Sequence, residues 1–444
     1  MSLNSWVTAD GAEIGIAQAE QARAAGIEPA AEMNPVLLKP KGDMVSQVVL
    51  FGHPYKDVQI GEYYRETDAL LEQAVDAFRV LEVRYGTVVV EGAGGAAEVN
   101  LYDRDIANMR LARELRLPII LVADIERGGV FAQAFGTISL LPEDVRPLVA
   151  GIIVNKFRGD PSLFDSGVKA LEDLCGVPVL GVVPYADLGI ASEDSLSIED
   201  KQARDNPIRI AVIKLPHIAN FTDFELLERH AAVTYVRPGE SLAGYDCIIL
   251  PGTKNTIDDL AVLRAAGTAD EICRMRAAGV PVIGICGGYQ MLGTHLVDAG
   301  YESGEPAEAE GLGLLDVSTT FSAYRKTTRQ VRTHAAPVPP ILTRFGEVEG
   351  YEIHMGESRR GVCREAFDGD GAVSDDGLVF GTYLHGIFTR PPAAAALLSY
   401  LAGRKGLEIE EEDVFRDPYD DLAALLERHL DMEHIVGLAL GRVQ

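Results

Sequence analysis

The chain has 444 residues, 47% of them hydrophobic, which is enough for two or three domains with buried cores. Its 67 acidic residues against 40 basic ones give a formal charge of −27, which disfavours nucleic acid and anionic membranes as partners. No run approaches the ~18 consecutive apolar residues of a membrane span, and Met1-Ser2-Leu3-Asn4-Ser5-Trp6 has neither the basic nor the apolar region of a signal peptide.

In chain order, a segment of helical periodicity (Ala69 to Leu81) precedes an apolar run, Val88-Val89-Val90, that reads as a strand. The helix-like stretch Asp105 to Leu115 leads to a second run, Ile119-Ile120-Leu121-Val122. Further strands are expected at Ile152-Ile153-Val154 and Val179 to Val183. The polar stretch Glu199 to Pro207 is the best candidate for a domain boundary. A second series follows, with strands at Ile208 to Ile213, Cys247 to Leu250, Val280 to Ile285 and Leu378 to Tyr383, and a terminal helix at Asp421 to Leu430. Short β-branched runs alternating with helices predict an α/β chain of two parallel-sheet domains, 1–203 and 207–400, with a helical tail over 401–444.

The acids are spread along the chain rather than gathered in a tail. They fit either a well-solvated charged face or adaptation to a salty cytoplasm that screens self-repulsion. Five cysteines, odd in number and without CxxC spacing, argue against a disulfide framework and a zinc site and for a cytoplasmic protein.

One cysteine differs from the rest. Val282-Ile283-Gly284-Ile285-Cys286-Gly287-Gly288-Tyr289-Gln290 is a strand running through G-x-C-G-G into a helix. A nucleophile at such a turn is pushed out of the sheet, and glycines relieve the crowding. The following helix start favours a thiolate, and its N–H groups can hold an oxyanion. A nucleophilic cysteine needs a base. Of nine histidines, His385 in Thr382-Tyr383-Leu384-His385-Gly386 lies just past a strand, and His354 competes without that position. Leu250-Pro251-Gly252-Thr253-Lys254-Asn255 is a strand end opening into a glycine turn, whose amides at Gly252 and Thr253, with Gly287, suit an oxyanion or the carboxylate of a bound glutamine.

These segments, in this order, resemble the class I glutamine amidotransferase domain in the form carried by the cobyric acid synthase family. The resemblance implies a thioester on Cys286, proton transfer by His385, and ammonia delivered from glutamine to a second site. In the wider class a glutamate follows the histidine by two positions; here that position is Ile387, and Glu352 is a weak candidate for the missing orienting group. The stretch Lys214 to Asp223 also resembles this family and is expected to pack a linker against the ammonia-receiving domain.

In the first half, Val88-Val89-Val90-Glu91-Gly92-Ala93-Gly94-Gly95 ends a strand in an acid and a glycine-rich loop, an arrangement that can hold Mg²⁺ near nucleotide phosphates. With Asp103, Asp105 and Asn155-Lys156 it resembles the dethiobiotin-synthetase-like ATP-dependent amidoligase domain of the same family. The resemblance puts Mg²⁺ on Glu91, Asn155 and Lys156 near the adenine, and Asp103 or Asp105 at an acyl phosphate; structural roles for the two aspartates are equally open. The implied substrate is a corrinoid, adenosylcobyrinic acid a,c-diamide, amidated at its b, d, e and g carboxylates with ATP and glutamine. Two alternatives remain. One is cobyrinic acid a,c-diamide synthase, which the Glu91-Gly92-Ala93-Gly94 loop with Asn100-Leu101 after it, and Lys326-Thr327-Thr328, disfavour. The other is a non-catalytic protein that binds a corrinoid or another protein.

No G-x-x-x-x-G-K-[ST] occurs in the chain. In the family a phosphate loop precedes the segment that here opens the sequence, so roughly 40 residues expected from the resemblance are absent. The expectation is a start assigned to an internal Met, with a loss of the synthetase activity as the alternative, and weak ATP binding by the chain as written. Oligomeric state is not legible.

Overall fold

A computed structural model describes residues 4–42, 45–186, 188, 190, 205–302, 304–323, 326–408 and 418–442. The proposed boundary at 199–207 lies largely outside them. The chain forms two compact units: residues 1–43, 51–55 and 191–416 make one, and 44–50, 56–190 and 417–444 the other.

The first unit is built on a six-stranded sheet. Its order is Ala232–Val236, Arg209–Ile213, Cys247–Leu250, Val282–Ile285, Val379–Thr382 and Ala372–Val373, all parallel except the last pair. The near-continuous apolar runs follow from burial on both faces, where alternation is not required; Ile210, Ile248, Ile249, Val282 and Ile283 are fully buried. Helices Thr256–Ala265, Thr268–Ala277 and Pro391–Arg404 belong to this unit, and their apolar side chains join its large core. Loops leaving the carboxyl ends of parallel strands are where such sheets place their ligands.

The second unit carries a three-stranded parallel sheet, Ile119–Asp124, Val149–Phe157 and Val179–Pro184. Helices Val130–Leu140 and Asp165–Cys175 bury Ala134, Ile138 and Leu171 in its core. Helices Pro418–His429 and Met432–Ala439 also belong here. Asp431 N–H donates to the Leu180 carbonyl at 2.7 Å and Leu430 bridges to Gly181, so the tail covers the outer edge of the last strand. No described helix is long and apolar enough to cross a membrane.

The structure differs from the sequence reading in two places. Val88-Val89-Val90 is not a strand, and Val89 is 89% exposed. An apolar run becomes a strand only when a neighbour takes its hydrogen bonds, and no described segment does so here. The opening residues, expected with the first domain, pack instead into the unit of residues 191–416. The hairpin Ser5–Val7 with Glu13–Gly15 and the helix Ile16–Ala24 share a core with Tyr351 and Ile353. Ser5 N–H donates to Asn220 Oδ1 at 2.9 Å, and Phe221 N–H donates to Asn4 Oδ1 at 3.2 Å.

Candidate active site

The strand Val282–Ile285 ends at Cys286, whose φ of 51° and ψ of −108° are unusual for a residue with a side chain. The helix Gly287–Leu292 starts at once. The turn is enforced by contact: a Cβ on Gly288 would lie 2.0 Å from the Leu250 carbonyl oxygen, and one on Gly287 would lie 2.6 Å from Thr253 Cγ2. Gly288→Ala therefore overpacks the junction and is expected to cost about 1–3 kcal/mol, read from urea denaturation. Cys286 is 7% exposed, with Sγ 3.8 Å from the Ile353 carbonyl oxygen.

His385 lies beside Cys286, which is among the groups that raise the histidine's pKa. The strand pair Glu347–His354 with Leu384–His385 sets this up. Register pairs Tyr351 with His385 and Glu352 with Leu384, so Glu352 points to the opposite face from the histidine. Its carboxylate receives two hydrogen bonds from Arg329, both at 2.8 Å, and lies 3.7 Å from His354 Nε2. Glu352 is therefore not the orienting group.

That position belongs to Asp223. His385 Nδ1–H donates to Asp223 Oδ2 at 2.7 Å, and Gly386 N–H donates to Oδ1 at 2.9 Å. Both side chains are buried, at 2% and 1% exposure. Burial alone would lower the imidazole pKa; the Asp223 carboxylate and then Cys286 outweigh it and raise it to about 10. Tyr351 stacks on His385 with ring centres 5.5 Å apart, and Trp6 packs on Tyr351 at 4.7 Å. Asp223 comes from the stretch expected to serve as linker packing. There Ile218–Ala219 pairs with Gly252–Thr253, and the left-handed Asn220 turns the chain into the short helix Phe221–Phe224.

Gly252 packs on His385, since a Cβ there would lie 2.8 Å from His385 Cε1. Thr253 Oγ1–H donates to Asp259 Oδ2 at 2.5 Å, and His217 Nδ1–H donates to Asp259 Oδ1 at 2.7 Å. Asp259 is fully buried and fixes the turn that carries Gly252 and Thr253 beside Gly287. Asp259→Ala strands these donors. It is expected to cost about 1–3 kcal/mol in urea denaturation and to lower glutamine hydrolysis roughly tenfold. Sequence reasoning missed Asp223, 162 residues from His385, and Asp259, which is 42 residues from His217 though only 6 from Thr253.

His354, the competing base, stacks on Tyr383 at 3.7 Å instead of meeting Cys286, and its Nδ1 is buried without a partner. With Arg329, Glu352, Arg359, Arg360 and Tyr383 it lines an open groove of about 1190 Å³. Gln290, on the helix after Cys286, donates to Tyr383 Oη at 3.1 Å and to the Met355 carbonyl at 3.0 Å.

In the second unit, Asp105 accepts from the N–H groups of Ala107, Asn108 and Met109 at 2.9–3.0 Å and caps the helix Met109–Leu115. That is a structural duty, whereas the Asp103 side chain is exposed. Asn155 Oδ1 accepts from Lys156 N–H at 2.8 Å, and Lys156 Nζ pairs with Asp124 at 2.9 Å. Gly92 packs on Asn108, whose Nδ2 donates to the Ala93 carbonyl at 2.7 Å, so the glycine loop has a defined support. Glu91 at the loop's start is exposed. No described group of three or more His, Cys, Asp or Glu could hold a metal by itself. One exposed carboxylate beside a glycine loop fits Mg²⁺ only as a phosphate-bound ion, which needs one or two protein carboxylates.

A CobB/CobQ-like glutamine amidotransferase domain matches residues 209–393, and an AAA domain matches 50–191. Curated relatives described as "Probable cobyric acid synthase" align along the chain. The one from Methanoculleus marisnigri is 66% identical over 100% of this chain and 92% of its own length. That from Methanosphaerula palustris is 68% identical over 99% and 90%, and that from Methanoregula boonei 66% over 99% and 91%. A solved structure described as "Crystal structure of glutamine amidotransferase" is 20% identical over 44% of this chain and 98% of that chain, with a TM-score of 0.33. By its full-length identity to these relatives, the chain belongs to the cobyric acid synthase family.

Proposed function

We propose that the chain is a glutamine-hydrolysing, ATP-dependent amidoligase that converts the b, d, e and g carboxylates of adenosylcobyrinic acid a,c-diamide to amides. The observation that carries this reading is the buried Cys286–His385–Asp223 arrangement in a chain so close to its relatives along its whole length. His385, held by Asp223, serves as proton acceptor and donor for the nucleophile Cys286. Its attack on the glutamine side-chain carbonyl gives a tetrahedral oxyanion, received by backbone N–H groups at Gly252, Thr253 and Gly287. Collapse breaks the C–N bond. The leaving nitrogen takes a proton from His385 and departs as ammonia, and water then releases glutamate from the thioester. Charged groups of both signs in the groove, Glu352 against Arg359 and Arg360, suit the zwitterionic end of glutamine.

In the second unit, Glu91 would hold Mg²⁺ on the nucleotide, and Asn155 and Lys156 would lie near the base. Bound ATP supplies the phosphoryl group that activates a corrinoid carboxylate. Asp105 is already engaged as a helix cap, which leaves Asp103 as the better candidate to face the acyl group. A cytoplasmic location accords with this use of ATP and glutamine.

The test is substrate choice. The chain, with glutamine, ATP and Mg²⁺, is offered either cobyrinic acid or its a,c-diamide, and products are read by mass spectrometry. Amidation of the a,c-diamide alone is expected. Amidation of cobyrinic acid would favour the a,c-diamide synthase reading. Binding of a corrinoid with neither amidated would favour a non-catalytic binding protein.

A further inference from the structure

The hairpin at the start of the chain reaches the Asp223–His385 pair by two routes. The first is a set of hydrogen bonds. Asn4, 1% exposed, accepts from Phe221 N–H at 3.2 Å, and Ser5 N–H donates to Asn220 Oδ1 at 2.9 Å. Both bonds fall on the turn that delivers Asp223. Asn220 is left-handed there, with a φ of 54°, and its carbonyl accepts from Asp223 N–H at 3.1 Å. A residue with a side chain keeps that conformation only where its surroundings hold it.

The second route runs through rings. Trp6 meets the Arg23 guanidinium, 4.0 Å from its ring centre, and Tyr351, at 4.7 Å. Tyr351 stacks on His385 with the ring planes 21° apart. Gln330 Nε2–H donates to the Val7 carbonyl at 3.0 Å, and Gln330 is the register partner of Tyr351. The hairpin is therefore tied to the strands at the level of the stacked ring. Its second strand is fixed too, since the buried Glu13 carboxylate meets Lys39 and Lys326.

Resting on the glutaminase reading above, we infer that Asn4 and Trp6 are positioning residues for glutamine hydrolysis, Asn4 acting through the Asn220 turn on Asp223 and Trp6 through Tyr351 on His385. The pair they hold is joined by one 2.7 Å hydrogen bond between buried groups. A displacement of about 1 Å in such a pair can cost ~10²-fold in rate. The hairpin orients a proton-transfer pair, so its loss falls on kcat and on the pH profile and leaves KM in place.

The experiment follows glutamine hydrolysis by the full chain from neutral to alkaline pH. Burial lowers the His385 pKa; of the titratable groups set against it, Asp223, Cys286 and Tyr351, the Asp223 carboxylate raises it most. Asn4→Ala is expected to lower kcat about tenfold with KM within about twofold, and to move the alkaline limb to lower pH as that carboxylate loosens. Trp6→Leu should lower kcat about fivefold, and Trp6→Phe, which keeps a ring on Tyr351, should stay within about twofold. The decisive arm is a double variant. With Asp223→Asn in place, Asn4→Ala should change kcat by less than about twofold, because the group it positions is gone. Ile272→Ala removes buried volume from the core of the same unit and should lower the urea midpoint without moving the limb. Equal losses for Asn4→Ala in both backgrounds overturn the assignment. So does a folded Asn4→Ala or Trp6→Leu chain with the parent kcat and pH profile. If Asn4→Ala does not fold, the Trp6 pair decides, and equal losses in Trp6→Leu and Trp6→Phe overturn it. A parent chain that hydrolyses no glutamine contradicts the glutaminase reading and takes this inference with it.

Discussion

Cys286→Ala is expected to lower glutamine hydrolysis by roughly 10⁴–10⁶-fold while amidation supported by free ammonium stays within about twofold. The asymmetry follows from the chemistry. Without the cysteine sulfur no thioester forms and no tetrahedral species develops. The buried volume lost is small, and the Sγ contact with the Ile353 carbonyl is long, at 3.8 Å, so the fold should persist. Glutamate release and corrinoid amidation are measured side by side. Residual glutamine-dependent amidation near the parent level would remove Cys286 from the mechanism.

Asp223→Asn is the second large effect, with kcat for glutamine hydrolysis expected to fall about 10²–10⁴-fold and KM little changed. An amide at this position cannot stabilise the imidazolium and can present the wrong partner to Nδ1. The pH profile separates this from simple damage. The carboxylate raises the His385 pKa to about 10 in the parent, so the imidazolium persists to high pH. In Asp223→Asn the proton leaves earlier, and the alkaline limb of the rate profile moves to lower pH. Glu352→Gln should leave that limb in place, because its carboxylate is occupied by Arg329.

Stability carries the same sign. A histidine raised from 6.5 to about 10 on folding contributes stability fully present below pH 6.5 and lost as pH rises through about 10. The variant should therefore show a flatter fall of Tm across that window. A profile identical to the parent would mean that Asp223 does not act through His385.

Cys286 and His385, the proposed nucleophile and its base, are legible in the sequence because their signals are local. Cys286 is marked by the strand before it and the glycines after it, and the close contacts of Gly287 and Gly288 explain why those glycines are there. His385 is marked by its place at a strand end. Asp223 carries no such mark. It lies 162 residues before His385, and only the left-handed turn at Asn220 and the packing of Phe221 and Phe224 bring it under the imidazole. The sequence pattern drew attention to the right stretch but offered no way to see its partner. Glu352 was plausible only until strand register was known, since a shift of one residue moves a side chain to the other face.

The parallel sheet of the first unit was legible for the same local reason: fully buried strands are continuous apolar runs. The fate of the opening residues was not. Hydrogen bonds that join Ser5 and Asn4 to a loop more than 200 residues away leave no periodic trace. Val88-Val89-Val90 errs in the opposite direction, since β-branched composition signals a strand whether or not a partner is present to pair with it.

The most direct test of the account follows one nitrogen. The chain is given adenosylcobyrinic acid a,c-diamide, ATP, Mg²⁺ and glutamine labelled with ¹⁵N in its side-chain amide, in unlabelled ammonium at a concentration too low to support amidation alone. The account predicts that the new corrinoid amides carry ¹⁵N, and that they are lost together with glutamate release in Cys286→Ala. Corrinoid amides without the label, or labelled ammonia released with no corrinoid amidated, would contradict it.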